Sequence, residues 1–260
     1  MSRNNNNNHF ETVLLTGATT GIGHSLAHCL ASMGYSLLLV ARNHEKLEAV
    51  KKELAEKYGV PVTVLECDLA HQDSAARVTF FLDENSLVPD ILINNAGAGV
   101  YGPFGRTDEK AELDVINLNV ITTTLLAKTM ARRMNARGGG RIMFVSSTLA
   151  FRKGPRWAVY AAAKSFVLSL AGSLEMEFRN SSVKISVLCP GKTDTEFDIH
   201  AGAGATSSDG KDSPDEVAAY AVKQLLRGKS LIIPGVKNKL KYFVFRYLPA
   251  FVGDYIVGKL

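Results

Sequence analysis

Thr12-Val13-Leu14-Leu15-Thr16-Gly17-Ala18-Thr19-Thr20-Gly21-Ile22-Gly23 is a short apolar run that ends in three glycines spaced GxxxGxG. The run reads as a β-strand, the glycines as a tight turn, and Gly23–Met33 as a helix. A dinucleotide pyrophosphate needs this order, because glycine lets backbone N–H groups come close and the helix N-terminus points at the charge. The surrounding stretch, Thr12 to Ala41, contains no Asp, Glu, Lys or Arg. It still does not read as a membrane span, which needs about 20 predominantly apolar residues. Glycines, threonines, His24 and His28 interrupt it, so it reads as a buried strand, turn, helix and second strand.

Outward from this unit the pattern repeats. Ser36–Val40, Val62–Glu66, Ile91–Asn94, Arg141–Ser146, Lys184–Leu188 and Ser230–Ile233 read as further strands, apolar enough to be covered on both faces. Helical periods occupy His44–Tyr58, Gln72–Glu84, Glu109–Asn135, Tyr160–Asn180 and Pro214–Arg227. The last begins at Ser213 as N-cap, with Pro214 at N1 and Glu216 closing a capping box. Alternating strands and helices predict an α/β fold: one domain, a Rossmann-type doubly wound parallel sheet of about seven strands, with helices on both faces. The domain is expected over residues 10–235. Residues 1–9, rich in asparagine, read as a disordered extension without a secretory signal, and 236–260 as a basic, aromatic amphipathic segment.

Composition narrows the function classes. With 46% hydrophobic and 21% charged residues, the 260-residue chain can bury a large core. Cys29, Cys67 and Cys189 lie far apart, which excludes a disulfide framework and points to a reducing, cytoplasmic setting. The histidines show no HExxH or other ligand spacing, so no metal is expected. The net charge of +5 is concentrated after Gly235, where Lys237, Lys239, Lys241, Arg246 and Lys259 face only Asp254. A basic tail on a near-neutral domain argues against nucleic-acid binding.

Two positions speak to chemistry. The second strand ends at Val40-Ala41-Arg42 with no acidic residue before Glu45. An NAD site places a carboxylate there for the ribose 2′-OH, whereas the guanidinium of Arg42 suits a 2′-phosphate, so NADP(H) is expected. Tyr160 and Lys164 stand one helical turn apart, and a nearby ammonium draws a phenol towards the working pH range.

Thr16–Gly23 (TGxxxGIG), Asn94-Asn95-Ala96-Gly97, Asn119, Ser147, Tyr160-x-x-x-Lys164 and Pro190-Gly191 occur together in one order and spacing. From about Phe10 to Gly235 the chain resembles the short-chain dehydrogenase/reductase family. The resemblance implies a carbonyl–alcohol oxidoreductase. Tyr160 would be its general acid, and Ser147 would bond the substrate oxygen. Lys164 would lower the tyrosine pKa and bind the nicotinamide ribose, while Asn119 would hold a relay water. Gly17, Thr19, Thr20, Gly21, Ile22 and Gly23 would line the pyrophosphate, and Asp68 and Leu69 the adenine. Asn95, Ala96 and Gly97 would lie along the cofactor, and Pro190, Gly191, Thr193 and Thr195 would meet its nicotinamide end. Two positions depart from the family pattern: Thr20, where many NADP-dependent members carry a basic residue, and Thr193, where an aliphatic residue is commoner. The motif contexts are similar to those of bacterial reductases and of membrane-associated 3-oxoacyl and hydroxysteroid reductases.

Val100, Tyr101, Phe104, Leu149, Phe151, Trp157 and Phe197 are candidate pocket residues from loops after strand ends, favouring a hydrophobic ketone or aldehyde, 3-oxoacyl or steroid-like. Ala201–Asp212 reads as a mobile glycine- and serine-rich segment. The alternative function is a catalytically idle NADP-binding scaffold or sensor, which the complete proton relay disfavours. Family resemblance implies a homodimer or homotetramer through helices beginning near Glu109 and Tyr160. In the tail, Leu240, Phe243, Val244, Tyr247, Leu248 and Phe251 recur at helical spacing, with Pro249 interrupting. This stripe either packs on protein or lies peripherally on an anionic membrane.

Overall fold

A computed structural model describes residues 11–204 and 210–247. The expected extension 1–9, residues 205–209 of the expected mobile segment, and the tail from 248 with Pro249 and Phe251 lie outside the described residues. Seven strands form one sheet: β1 (Thr12–Thr16), β2 (Ser36–Ala41), β3 (Val62–Glu66), β4 (Ile91–Asn94), β5 (Gly140–Val145), β6 (Val183–Leu188) and β7 (Leu231–Ile232). Their order is β3-β2-β1-β4-β5-β6-β7, and every pairing is parallel. The order reverses between β1 and β4, which opens a crevice at the carboxyl ends of these strands.

The connecting helices are α1 (Gly21–Ser32), α2 (His44–Tyr58), α3 (Ser74–Glu84), α4 (Glu109–Ile116), α5 (Thr123–Ala136), α6 (Ala158–Glu177), α7 (Phe197–His200), α8 (Pro214–Leu226) and α9 (Val236–Tyr247). Each strand feeds two cores because successive side chains point to opposite faces. Val13 and Leu15, Leu37 and Leu39, and Ile91 and Ile93 pack with residues of α1, α2 and α8. Leu14, Leu38 and Val40, and Leu92 pack with α3, α5 and α6. At 25 cal/mol per Å2, each fully buried Leu or Ile contributes about 1.5–3 kcal/mol, so the two-faced burial dominates the stability of the sheet. Strand β3 is the exception to burial on both faces: it is an edge strand with Thr63 and Glu66 exposed.

Two local expectations are corrected. The helix expected over Glu109–Asn135 is α4 and α5 joined by a π-helical turn at Asn117–Thr122, a wider turn that periodicity does not register. Ser213 occupies the N-cap of α8 and Pro214 its first turn, but the serine side chain makes no capping hydrogen bond. Asp215 in that first turn instead accepts a 2.5 Å hydrogen bond from Ser25 Oγ, which ties α8 to α1. The tail begins as helix α9 directly after Gly235 (φ +76°) and docks on the domain through Asn238 and Tyr242.

Candidate active site

The glycine turn is closed by sterics on every side. Gly17 has φ +68°, a region that favours glycine, and a Cβ there would stand 2.8 Å from the Ala96 Cα. Gly21 also has positive φ, and its added Cβ would meet Thr195 Cγ2 at 2.8 Å. A Cβ on Gly23 would collide with the Gly17 carbonyl oxygen and the Asn95 amide. The α1 N-terminus follows, with no side-chain cap from Thr20, so its amides remain directed out of the turn. A backbone cradle of this kind, with α1 amides that Thr20 does not cap and no room for side chains, fits a dinucleotide pyrophosphate. Ile22 packs against the α1-side core, and Thr19 and Thr20 lie at the rim.

Residues at the end of β4 brace the turn. Asn95 Nδ2 donates to the carbonyls of Thr16 and Gly17, both at 3.0 Å. Thr16 Oγ1 accepts from the amides of Asn95 and Ala96, also at 3.0 Å, and donates to Ile93 O. Thr16, the first residue of TGxxxGIG but not among the residues expected to line the cofactor, is what ties the turn to the end of β4. Arg42 is exposed at the end of β2 and forms no ion pair among the described residues. Asp68, exposed after β3, accepts from the Ala70 amide, and the adjacent Leu69 is buried.

The four catalytic candidates converge at the same sheet edge. Ser147 follows β5 and caps the 3-10 turn Thr148–Phe151, accepting from the Leu149 amide at 3.1 Å. Its hydroxyl is also hydrogen-bonded to Tyr160. Tyr160 lies in the first turn of α6, buried, with Lys164 one turn on and equally buried. Lys164 Nζ donates to Val145 O at 2.9 Å and stands 5.7 Å from the Tyr160 ring centroid. Asn119 sits in the π-turn and donates to Ala98 O at 2.7 Å. Its buried Oδ1 has no hydrogen-bond partner among the described residues, the mark of a group that binds something further. A Cβ on Gly97 would lie 3.0 Å from that Oδ1 and 3.1 Å from Lys164 Nζ, so both polar atoms face one small gap.

The electrostatics differ from the expected lowering of the tyrosine pKa by Lys164. Burial raises the phenol above its ordinary value, the Ser147 hydrogen bond opposes this, and Asp198 adds to the rise. The ammonium is directed at the Val145 carbonyl, and burial lowers its own pKa to about 8. Behind it, Cys189 is buried and its thiol is pushed up to about 12 by desolvation.

An aromatic cluster covers Tyr160. Trp157 stacks on Phe197 at 6.0 Å between centroids, while Tyr101 lies 5.2 Å from Trp157 and Phe197 5.1 Å from Tyr160. Gly99 admits this packing, because a Cβ there would meet Trp157, Phe197 and Tyr160. Phe104 and Phe151 belong elsewhere: Phe104 is 68% exposed, and Phe151 packs edge-on against Tyr242 of α9. After β6, Pro190 O accepts from the Thr148 amide, and Gly191 is backed by Asn238, which a Cβ would strike at 2.5 Å. Thr193 bridges to Asp212, and Thr195 rests on Gly21, so the loop after β6 reaches across to the glycine turn.

The sequence profile of short chain dehydrogenases matches residues 11–205. The chain belongs to the short chain dehydrogenase family. A "dehydrogenase/reductase SDR family protein 7-like" protein of Drosophila melanogaster is 34% identical over 253 residues, covering 92% of this chain and 77% of that protein. A very-long-chain 3-oxoacyl-CoA reductase of Caenorhabditis elegans is 27% identical over 252 residues, covering 95% and 78%. The solved structure of a short-chain dehydrogenase from Sphingobium yanoikuyae in complex with NADPH has a TM-score of 0.81 and 31% identity, covering 96% of this chain and 93% of that one. Short chain dehydrogenases are oxidoreductases that act on small molecules, and the parallel sheet and sheet-edge site are of that kind.

Proposed function

We propose that this short chain dehydrogenase is an NADP(H)-dependent oxidoreductase that interconverts a carbonyl and a secondary alcohol on a hydrophobic substrate. The observation that carries the reading is the assembly of Ser147, Tyr160, Lys164 and Asn119 beside a glycine cradle with no room for a Cβ. When bound, the nicotinamide cofactor supplies or accepts the hydride. Gly17 to Gly23 would hold its pyrophosphate, Asp68 and Leu69 would flank the adenine, and Thr193 and Thr195 would meet the nicotinamide end.

In the reducing direction Tyr160 donates its proton to the substrate oxygen. The phenol is protonated at neutral pH, as a donor must be; burial raises its pKa and weakens it as an acid, and the Ser147 hydrogen bond offsets part of that rise. Ser147 turns from Tyr160 to hydrogen-bond the same oxygen. Lys164, with its pKa brought to about 8, can exchange a proton in the working range. Asn119 Oδ1 and Lys164 Nζ hold a water in the gap beside Gly97, which resupplies the relay. The site is tested by following oxidation of NADPH with a panel of apolar ketones and aldehydes. The apolar panel follows from the Tyr101, Trp157 and Phe197 cover, and from the 3-oxoacyl-CoA substrate in the name of the Caenorhabditis relative.

NADP(H) is preferred to NAD(H) on the strength of exposed Arg42 at the end of β2, and the NADPH of the Sphingobium relative agrees with this. Arg42→Ala is expected to weaken NADPH by roughly ten- to a hundredfold, the scale of a hydrogen bond to a charged group (about 1.5–3 kcal/mol), and to leave NADH almost unchanged. Fluorescence titration with both cofactors checks this; equal losses would make Arg42 structural, and a wild-type preference for NADH would refute the assignment.

Homo-oligomerisation through α4, α5 and α6 is supported by Leu113, Ile121, Leu125 and Phe166, which stand 42–58% exposed there. On α9, Val236, Leu240, Phe243 and Tyr247 form an exposed apolar stripe flanked by Lys237, Lys239 and Lys241, while Asn238 and Tyr242 anchor the other side. This stripe supports peripheral contact with an anionic membrane, although no helix among the described residues is long and apolar enough to cross one. Wild-type protein should then sediment with anionic vesicles in a salt-sensitive way, and Leu240→Ser/Phe243→Ser should leave it in the supernatant. Removing the whole tail is the poorer test, since it also strips Asn238 from Gly191. Wild type that never sediments at low salt defeats the membrane reading.

A further inference from the structure

Away from the sheet edge, α1 and α2 bring together three side chains of metal-ligating type. His24 and His28 stand one turn apart on α1 with ring centroids 4.6 Å apart, and Glu53 faces them from α2. His28 Nε2 lies 3.0 Å from Glu53 Oε1, and His24 Nε2 lies 3.4 Å from Oε2. One ligand atom from each residue falls within 4.8 Å of the other two. Around Zn2+ with bonds of about 2.0–2.1 Å, tetrahedral ligand atoms are separated by about 3.4 Å. The two His–Glu distances are each near that length but reach different oxygens of the one carboxylate; with a single ligand atom taken from each residue, the three lie within 4.8 Å, and an ion would draw them together.

The approach of His28 to Glu53 is close without being a hydrogen bond: Nε2 is buried and forms none among the described residues. The other ring nitrogen is occupied, since Nδ1 lies 3.2 Å from the Tyr58 hydroxyl and the two rings pack edge-on. A partner on Nδ1 orients Nε2 as a ligand, the usual arrangement of a metal-binding histidine. We propose that His24, His28 and Glu53 form a site for a divalent transition-metal ion of the Zn2+, Co2+ or Ni2+ class that clamps α1 to α2. Two imidazoles and one carboxylate are a donor set for such ions, whereas Ca2+ and Mg2+ take oxygen ligands. The side chains of His24 and Glu53 are 35% and 49% exposed, which leaves solvent access and open coordination positions. Burial, then the neighbouring His24, hold the His28 pKa below its ordinary value against the opposite pull of Glu53. The two histidines are spaced i, i+4, as the histidines of HExxH are, with Ser25 where that motif has its glutamate, so the expectation of no ligand spacing among the histidines is corrected here. An ion here is structural: it fixes the helix whose first turn forms the glycine cradle, on the face of the sheet opposite to α6, which carries Tyr160.

The test uses the full chain, stripped of metal and free of any affinity tag, titrated with Zn2+ and with Co2+ by calorimetry in the absence of cofactor. One ion per chain is expected, with a higher thermal midpoint at saturating metal and visible Co2+ bands of low coordination number. His24→Asn and Glu53→Gln should each weaken binding by about tenfold or more and abolish the thermal gain, while the metal-free variants keep wild-type circular dichroism. Absence of stoichiometric binding by the wild type overturns the proposal. So does undiminished binding by both variants, which places the ion elsewhere, such as at Cys29.

Discussion

Tyr160→Phe is expected to reduce kcat by about a thousandfold or more and to leave the affinity for NADPH nearly unchanged. A positioned general acid contributes typically 10²–10⁴-fold, and here the same hydroxyl also orders Ser147. Removing one oxygen from a buried ring barely alters packing, since the aromatic contacts with Trp157 and Phe197 remain. The loss should therefore fall on kcat in single-turnover kinetics, with cofactor binding measured separately by fluorescence. A Phe variant retaining a tenth of wild-type kcat would remove Tyr160 from the role of proton donor. Lys164→Ala separates the two functions assigned to that side chain, because it should impair both turnover and cofactor binding.

The second large effect belongs to Gly23→Ala. The added methyl would be driven into the Gly17 carbonyl and the Asn95 amide, and the first of these is backbone that cannot swing aside. Overpacking of this kind costs about 1–3 kcal/mol or more, which for a chain of this size lowers the melting temperature by roughly 5–10 °C. Displacing Gly17 or Asn95 also disturbs the bonds that Asn95 Nδ2 makes to the carbonyls of Thr16 and Gly17. NADPH affinity is expected to fall at least about tenfold even in the fraction that folds, the scale of one or two lost hydrogen bonds to a charged group. Thermal melts with and without NADPH check both parts. A variant with wild-type melting temperature and wild-type affinity would mean that the cradle is looser than its sterics imply.

The two predictions rest on different kinds of legibility. Apolar alternation and glycine placement are local signals, so TVLLTGATTGIG by itself determined a strand, a turn and a helix, and the repeats after it determined a parallel sheet. The YxxxK spacing placed two side chains on one helix face, since one helical turn is a local distance. The sequence also carried the family, through motifs whose order survives without any knowledge of where they meet. What it could not carry was the environment of each group. Lys164 was expected to depress the Tyr160 pKa because an isolated cation does so. Folding instead aims the ammonium at the Val145 carbonyl and buries both residues, and desolvation then dominates.

The same division explains the other differences. The π-turn that exposes Asn119 Oδ1 to the gap beside Gly97 leaves no trace in a 3.6-residue period. Phe151 reads as a pocket residue because its loop follows the end of a strand, but α9 returns from the far end of the chain and places Tyr242 against it. Asn238 was one polar residue in a basic tail until the fold set it under Gly191. Glu53 and the two histidines of α1 are separated by a whole strand, and only the packing of neighbouring crossover helices makes them one cluster. Local spacing is written in the order of residues. Burial, partners and charge environment arise from contacts between segments distant in that order, and only the tertiary structure decided them.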